Sequence, residues 1–532
     1  MKIDFRLGAL ALCAVRLLCA DNYPRQAGID VQHYVLRVAL TDDNDSIAGE
    51  TTVTVRFVNE GVHEFALDLA TAKNGKGMTV DGVTSGSGPV QFVHQNDRLA
   101  ITLTAAPKAG DLREFTVRYH GVPADGLRAV KNKYGDRCFF SQNWPDLARQ
   151  WLPMVDHPYD KATSEFLITA PAKYQVVANG LLREEIDLGD GRRMTHWKQS
   201  VPIASWLNNI GVAQFAALHF GSAAGVPLQT WVFPKDREAG IVTFNEPMRQ
   251  SIEFYSDHIG PYPYEKLASV QNGAAGGGGM EHASAIFYGQ NSVRGQPALG
   301  LVAHETAHQW FGDSVTEKDW DDVWLSEGFA TYFASLTTEH YEGRDAFLAQ
   351  MRRSRATIFS TEKRMPGVAV VQTKSWKGIP NGIVYQKGGW SLHMLRGQIG
   401  TEKFWAGIRE YYRRYRDGNA STADFEKVME EASGADLGWF FQQWVYRPGS
   451  PSVEGTWRYN PSGKVEIELS QTQAGEAYRL PLEVGLDSGS ATKIEMTQKV
   501  QKFEIPAAKE PANVSLDPNV WVLVDAKFEK RR

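Results

Sequence analysis

Two histidines four residues apart, with a glutamate between them, constrain this chain more than any other feature. They are His304, Glu305 and His308, within Leu301-Val302-Ala303-His304-Glu305-Thr306-Ala307-His308. On a helix that spacing brings both imidazoles to one face, where they can grip a single Zn²⁺, and Glu305 can reach a metal-bound water as general base. Leu299, Leu301 and Val302 lead into the segment, Ala303 and Ala307 suit a helix interior, and Gly312 follows as a stop. Glu327 comes after a gap of 18 residues, inside Trp324-Leu325-Ser326-Glu327-Gly328-Phe329-Ala330. Val323, Leu325, Phe329, Tyr332 and Phe333 recur there with helical spacing. An unpaired glutamate among such neighbours would be expensive to bury, so a partner is expected. As third protein ligand it would complete a catalytic zinc site, one ion per chain, with the fourth position left for water.

At 532 residues the chain has room for two to four domains, and 42% apolar against 22% charged residues describes folded, not disordered, protein. The formal net charge is −5, and no basic run occurs apart from Lys530-Arg531-Arg532, which argues against a nucleic-acid partner. Residues 1–20 have the layout of a secretory signal peptide: Lys2 and Arg6, a mostly apolar run from Leu7 to Leu18, then Leu18-Cys19-Ala20 before a cleavage point. A secreted or periplasmic protein is expected, with lipidation at Cys19 ranked second because Leu18 is not small. No later segment is long and apolar enough to span a bilayer. Of the three cysteines only Cys138 would survive processing, as a packing residue.

Residues 21–217 are expected to form an N-terminal all-β domain of two packed sheets. Tyr34, Leu36, Val38 and Leu40 alternate, as do Val53, Val55 and Phe57, and Phe115, Val117 and Tyr119. Ser141 to Pro158 interrupts this pattern with three prolines and two tryptophans, so it reads as a shaped loop that can reach another domain. Within it Gln142 is either a ligand-facing amide or a structural one. A central α/β-to-α zinc domain is expected over residues 218–448. Its helices fall at Pro247–Ile259, from Ile383 onward, at Glu402–Tyr415, at Thr422–Glu431 and at Trp439–Tyr446. Five glycines in the seven residues Gly273 to Gly279 permit close backbone approaches just before Met280 and Glu281. His393 reads as a satisfied core histidine. After Arg447-Pro448-Gly449-Ser450-Pro451 a small β-sandwich is expected over residues 449–532.

Taken together these motifs resemble the gluzincin zinc aminopeptidases of the aminopeptidase N and leukotriene hydrolase type, from about Ser141 to Pro451. Gly278-Gly279-Met280-Glu281-His282 is similar to that family's G-x-M-E-N motif, and Tyr385-Gln386-Lys387-Gly388 to its Y-E-K-G motif. The resemblance implies a multidomain fold around a thermolysin-like catalytic domain. It also implies that His304, His308 and Glu327 bind zinc, that Glu305 is the general base, and that Tyr385 stabilises the oxyanion. Glu281, helped by Gln142, would bind the substrate's free α-ammonium, with Gly278, Gly279, Met280 and His282 lining the same site. His282 stands where the family carries Asn, Gln386 where Glu is usual, and Ser326 where Asn is common. The expected partners are peptides with a free N-terminus. A zinc endopeptidase, an epoxide hydrolase on the same scaffold, and a catalytically silent binding module are the competing readings.

Overall fold

The computed structural model describes residues 21–371, 380–487, 489 and 491–531; residues 1–20, where a signal peptide is expected, lie outside them with Cys13 and Cys19. β1 (Ile29–Ala39) and β2 (Ile47–Phe57) pair antiparallel, with Tyr34 opposite Val53. Val31 is odd-numbered, whereas Tyr34, Leu36 and Val38 are even; all four are buried. A register shift between Val31 and His33 reconciles the two phases, because one extra residue returns the apolar set to the inner face. β2 pairs antiparallel with β3 (Leu112–Val122), and β1 pairs parallel with β4 (Lys161–Pro171), within an eight-stranded sheet. Three sheets, not the expected two, make up this region: smaller ones of four and three strands accompany the large one. Phe65, from the three-stranded sheet, rests on Phe57 and Phe115 of the large one with ring centroids 6.2 and 4.8 Å away. Cys138 is buried in the same core, and burial pushes its thiol up to about 12.

The next sheet has five strands. β5 (Ala216–Ala223), β6 (Val226–Val232), β7 (Leu267–Asn272) and β9 (Ala285–Gly289) run in that order, with β8 (Gly279–Met280) antiparallel to β9 at the edge. Both faces are covered. Trp231, Ala268, Val270, Ala285 and Phe287 join the core of the N-terminal β region, while Leu228, Leu267, Ile286 and Tyr288 join the helices. Every residue of β7 is buried, which is why it lacks polar alternation.

The helices are α1 (Glu246–His258), α2 (Leu299–His308), α3 (Trp324–Glu342), α4 (Arg344–Arg364), α5 (Gly388–Ile399), α6 (Thr401–Tyr415) and α7 (Thr422–Ser433). Ser421 and Asp424 close a capping box at the start of α7. Periodicity does not announce α4, because Phe347, Met351, Ile358 and Thr361 are its buried residues and their stripe is broken. His393 is enclosed as expected, with Tyr332 Oη 3.1 Å from Nδ1 and the Val520 carbonyl oxygen 2.8 Å from Nε2. The C-terminal region contributes a four-stranded and a three-stranded sheet, and Val453, Trp457 and Leu480 share the helices' core. Among the described residues no helix is long and apolar enough to cross a membrane.

Candidate active site

α2 places His304 Nε2 and His308 Nε2 3.2 Å apart. From the first turns of α3, Glu327 Oε2 comes within 3.5 Å of the former and 3.3 Å of the latter. Zinc–ligand bonds of about 2.0–2.1 Å give a tetrahedron with edges of about 3.3 Å, so these three atoms have the spacing of one tetrahedral face. Glu327 Oε2 is buried and makes no hydrogen bond among the described residues, which is the condition of an atom set aside for a metal. A zinc ion fits this donor set. The far side of His308 is held as well: Ser326 Oγ lies 3.0 Å and the Phe311 carbonyl oxygen 3.3 Å from Nδ1. Such partners keep the proton on Nδ1 and turn the Nε2 lone pair toward the ion. Gly312, at φ +117°, makes room here, since a Cβ would sit 2.3 Å from Ser326 Oγ.

Electrostatics favour a cation. Glu281, Glu305 and Glu327 surround two imidazoles, and Glu281, Glu305 and His308 offer ligand atoms within 4.8 Å of one another. Burial, reinforced by the Glu281 charge, pushes the Glu305 carboxyl well above its ordinary range. For Glu327 burial acts the same way, but His308 and His304 outweigh it and hold the carboxyl at about 2. His308 is raised despite burial, because Glu281 and Glu327 stabilise its charged form.

The glycine run is ordered. Gly278 adopts φ +80° and its carbonyl accepts from Gly289 N at 2.9 Å, while Ala275 and Gly276 accept from Gln290 and Asn291. At Gly279 a Cβ would lie 2.4 Å from the Glu305 carboxyl carbon, so a larger residue there requires the Glu305 side chain or β8 to shift. Met280 pairs with Phe287 in β9, and the chain then turns Glu281 inward, where Oε1 is 3.9 Å from His308 Nδ1. Gln142 donates from Nε2 to Met280 Sδ at 3.4 Å and accepts the Trp144 backbone N–H at 2.8 Å. It therefore borders Met280 with its carbonyl oxygen already engaged. His282 departs from expectation. Its side chain is fully enclosed, neither ring nitrogen has a hydrogen-bond partner among the described residues, and the ring stands edge-on to Phe287 at 5.0 Å. Burial drives its pKa down to about 3, so it is a neutral core residue and does not line the substrate site.

Tyr385 belongs to a π-helical turn, Gly382–Lys387, that leads into α5. Its ring lies nearly parallel to His304, with centroids 6.1 Å apart, and its hydroxyl donates to Glu327 Oε1 at 2.5 Å. Lys387 is buried and anchors the turn, donating to Glu362 at 2.9 Å and to the Gly449 carbonyl at 2.6 Å. Sequence reasoning missed Gln309, the residue after His308. Its Nε2 donates to the Glu281 carbonyl at 2.7 Å and to Asp313 Oδ2 at 2.8 Å. Its Oε1 accepts from Ser284 N and from Tyr262 Oη. The available signal was a polar residue at the end of an apolar helix.

A two-histidine, one-glutamate metal site on adjoining helices, with a second glutamate between the histidines in sequence, defines a gluzincin-type centre. The description of the peptidase family M1 domain matches residues 244–444, and that of the peptidase M1 N-terminal domain matches residues 30–207. The chain belongs to peptidase family M1. It is 30% identical to mouse glutamyl aminopeptidase over 337 residues, which is 60% of this chain and 35% of the mouse protein. It is 27% identical to tricorn protease-interacting factor F2 of Thermoplasma acidophilum, over 77% of this chain and 54% of that protein. The chain thus spans about a third of the length of the mammalian relatives it matches. An M1 zinc metallopeptidase from Deinococcus radiodurans superposes with TM-score 0.67 at 25% identity, covering 79% of this chain and 93% of that one.

Proposed function

We propose that this chain is a zinc-dependent aminopeptidase that removes residues from the free N-terminus of peptides, with its chemistry in residues 218–448. The observation that carries this reading is the second carboxylate. Glu281 faces the same histidine as the metal ligands and lies at the inner end of an open-edged strand. A peptide docking along β8 as an added strand would run its first residue into that carboxylate. A free ammonium there neutralises a buried negative charge, whereas a capped terminus leaves it unpaired. The names of the relatives agree, and related structures are described as holding L-tryptophan or L-arginine.

Zinc, when bound by His304, His308 and Glu327, polarises the scissile carbonyl and makes water a better nucleophile. Glu305, whose carboxyl is poised high by burial, takes the proton from the attacking water and returns it to the departing amine. Tyr385 turns its hydroxyl from Glu327 Oε1 to the oxyanion, a stabilisation of about 3 kcal/mol. Glu281 holds the ammonium, and Gln142 and Met280 shape the wall beside it. The leader layout of residues 1–20 supports a secreted or periplasmic location.

The test compares aminoacyl-arylamides with their N-acetylated forms, with and without a chelator. Cleavage confined to free amines and abolished by the chelator is expected, and Glu281→Ala removes that preference while zinc content holds. Equal turnover of capped substrates returns the case to an endopeptidase. Bound zinc with no turnover of either substrate favours the silent binding module.

A further inference from the structure

Helix α2 ends at His308, yet the chain does not leave it there. Asp313 N reaches back to the His308 carbonyl at 3.0 Å, Ser314 N to that of Gln309 at 3.3 Å, and Val315 N to that of Trp310 at 3.0 Å. These successive bonds wrap the chain around the open end of the helix and satisfy carbonyls that would otherwise be orphaned. The wrap also carries Asp313 Oδ2, which accepts from Gln309 at 2.8 Å, and Gln309 in turn holds the Glu281 carbonyl. A shift of Asp313 is therefore felt at a metal ligand on one side and at the second carboxylate on the other.

What fixes the wrap from outside comes from the M1 N-terminal domain. Lys161, the first residue of β4, lies in that domain and is only partly exposed. Its Nζ donates to the carbonyl oxygens of Asp313 at 2.9 Å, Ser314 at 2.8 Å and Gly418 at 3.1 Å. An ammonium has three N–H donors, and all of them are spent here on converging backbone acceptors. No uncharged side chain offers as many donors from one atom. The charge suits the place as well, because the carbonyl end of a helix is partially negative. Burial lowers the Lys161 pKa from 10.5 to about 8, against the pull of Asp417, Asp313 and Glu317, which leaves it protonated at neutral pH.

The third acceptor extends the grip. Gly418 opens the short strand Gly418–Ala420, which pairs in parallel with Val315–Glu317, the continuation of the wrap. Asn419 Nδ2 adds a second tie between the domains, to the Pro158 carbonyl at 2.8 Å.

We infer that Lys161 is a positioning residue for the reaction: from the N-terminal domain it holds the wrap on the end of α2, and so sets His308 and Glu281 in place. The catalytic centre is then complete only with the N-terminal domain docked. This rests on the aminopeptidase reading of the site.

The experiment uses the full chain with zinc bound. Lys161→Met keeps the length of the side chain and removes the ammonium. kcat/KM for aminoacyl-arylamides should fall about 10- to 100-fold, as expected when reacting groups are misplaced by up to about 1 Å. Zinc should pass to a chelator several-fold faster, and the visible absorption bands of the cobalt(II)-substituted protein should shift. Lys161→Ala assayed in propylammonium chloride, which replaces the missing part of the side chain, should regain activity several-fold, whereas wild type gains nothing from the same salt. If Lys161→Met does not fold, Lys161→Ala prepared in propylammonium carries the test, and should lose activity and zinc as the salt is removed. A lower Tm with unchanged kinetics, metal release and cobalt spectrum makes Lys161 a structural residue alone and overturns the inference. Failure of both variants to fold even in propylammonium does the same. If wild type itself shows no preference for free amines, the aminopeptidase reading falls; zinc release and the cobalt spectrum then still decide whether Lys161 positions His308.

Discussion

Gln309 donates its amide proton to the carbonyl oxygen of Glu281 across 2.7 Å, joining the end of the zinc helix to the loop that carries the second carboxylate. The same side chain receives Ser284 N at 2.8 Å, so it grips that loop from both sides of His282. One carboxamide therefore ties the loop of Glu281, the proposed amine clamp, to the end of α2. Gln309→Met keeps the volume and removes every one of these bonds, leaving buried backbone groups unpaired. We expect kcat/KM for free-amine substrates to fall about 10- to 100-fold, mostly through KM, while zinc content stays at one per chain. Steady-state kinetics beside metal analysis read both quantities; an unchanged KM would refute this coupling.

Gly279 bears on Glu305, the proposed base. Because an added Cβ would meet the Glu305 carboxyl carbon at 2.4 Å, Gly279→Ala must displace either β8 or the carboxylate. We expect kcat to fall about 100-fold with zinc retained and circular dichroism unaltered, since a shift near 1 Å in a reacting group has about that effect.

Ser326 steers a ligand without touching the metal. Its Oγ is 3.0 Å from His308 Nδ1, and Ser326→Ala frees the ring to rotate. Zinc affinity, measured by competition with a chromophoric chelator, should weaken about 10- to 100-fold. Adding excess zinc should restore most of the activity.

Lys266 makes stability depend on pH. It is fully buried, donates to the Ala178 and Ser284 carbonyl oxygens at 3.1 and 3.0 Å, and burial lowers its pKa from 10.5 to about 7. Between those values the unfolded chain holds a proton that the folded one has released, so stability rises with pH. The contribution is up to about 1.4 kcal/mol per pH unit. Thermal melts from about pH 7 to pH 9 should show wild type gaining on Lys266→Met as pH rises. The gap should be smallest at the acid end.

Much of this was legible because it is local. His304 and His308 share a helical face by spacing alone, and Tyr34, Leu36 and Val38 announce a strand by alternation. Helix α4 was not legible, because its few buried residues owe their burial to neighbours far along the chain. Nor was the fate of His282. Beside Glu281 in sequence it looked like part of the substrate site, yet the turn after β8 sends the two side chains opposite ways, one toward His308 and one against Phe287.

By itself, then, the sequence determined which atoms are available to a metal and that two of them lie on one helix face. Backbone periodicity acts over four residues and needs nothing else. Only the tertiary structure decided that Glu327 Oε2 closes the triangle at 3.5 and 3.3 Å, that Gly279 seats β8 against Glu305, and that Gln309 ties Glu281 to the zinc helix. Those relations cross elements. They follow from which surfaces exclude water together, a property of the packed chain and not of any one stretch of it.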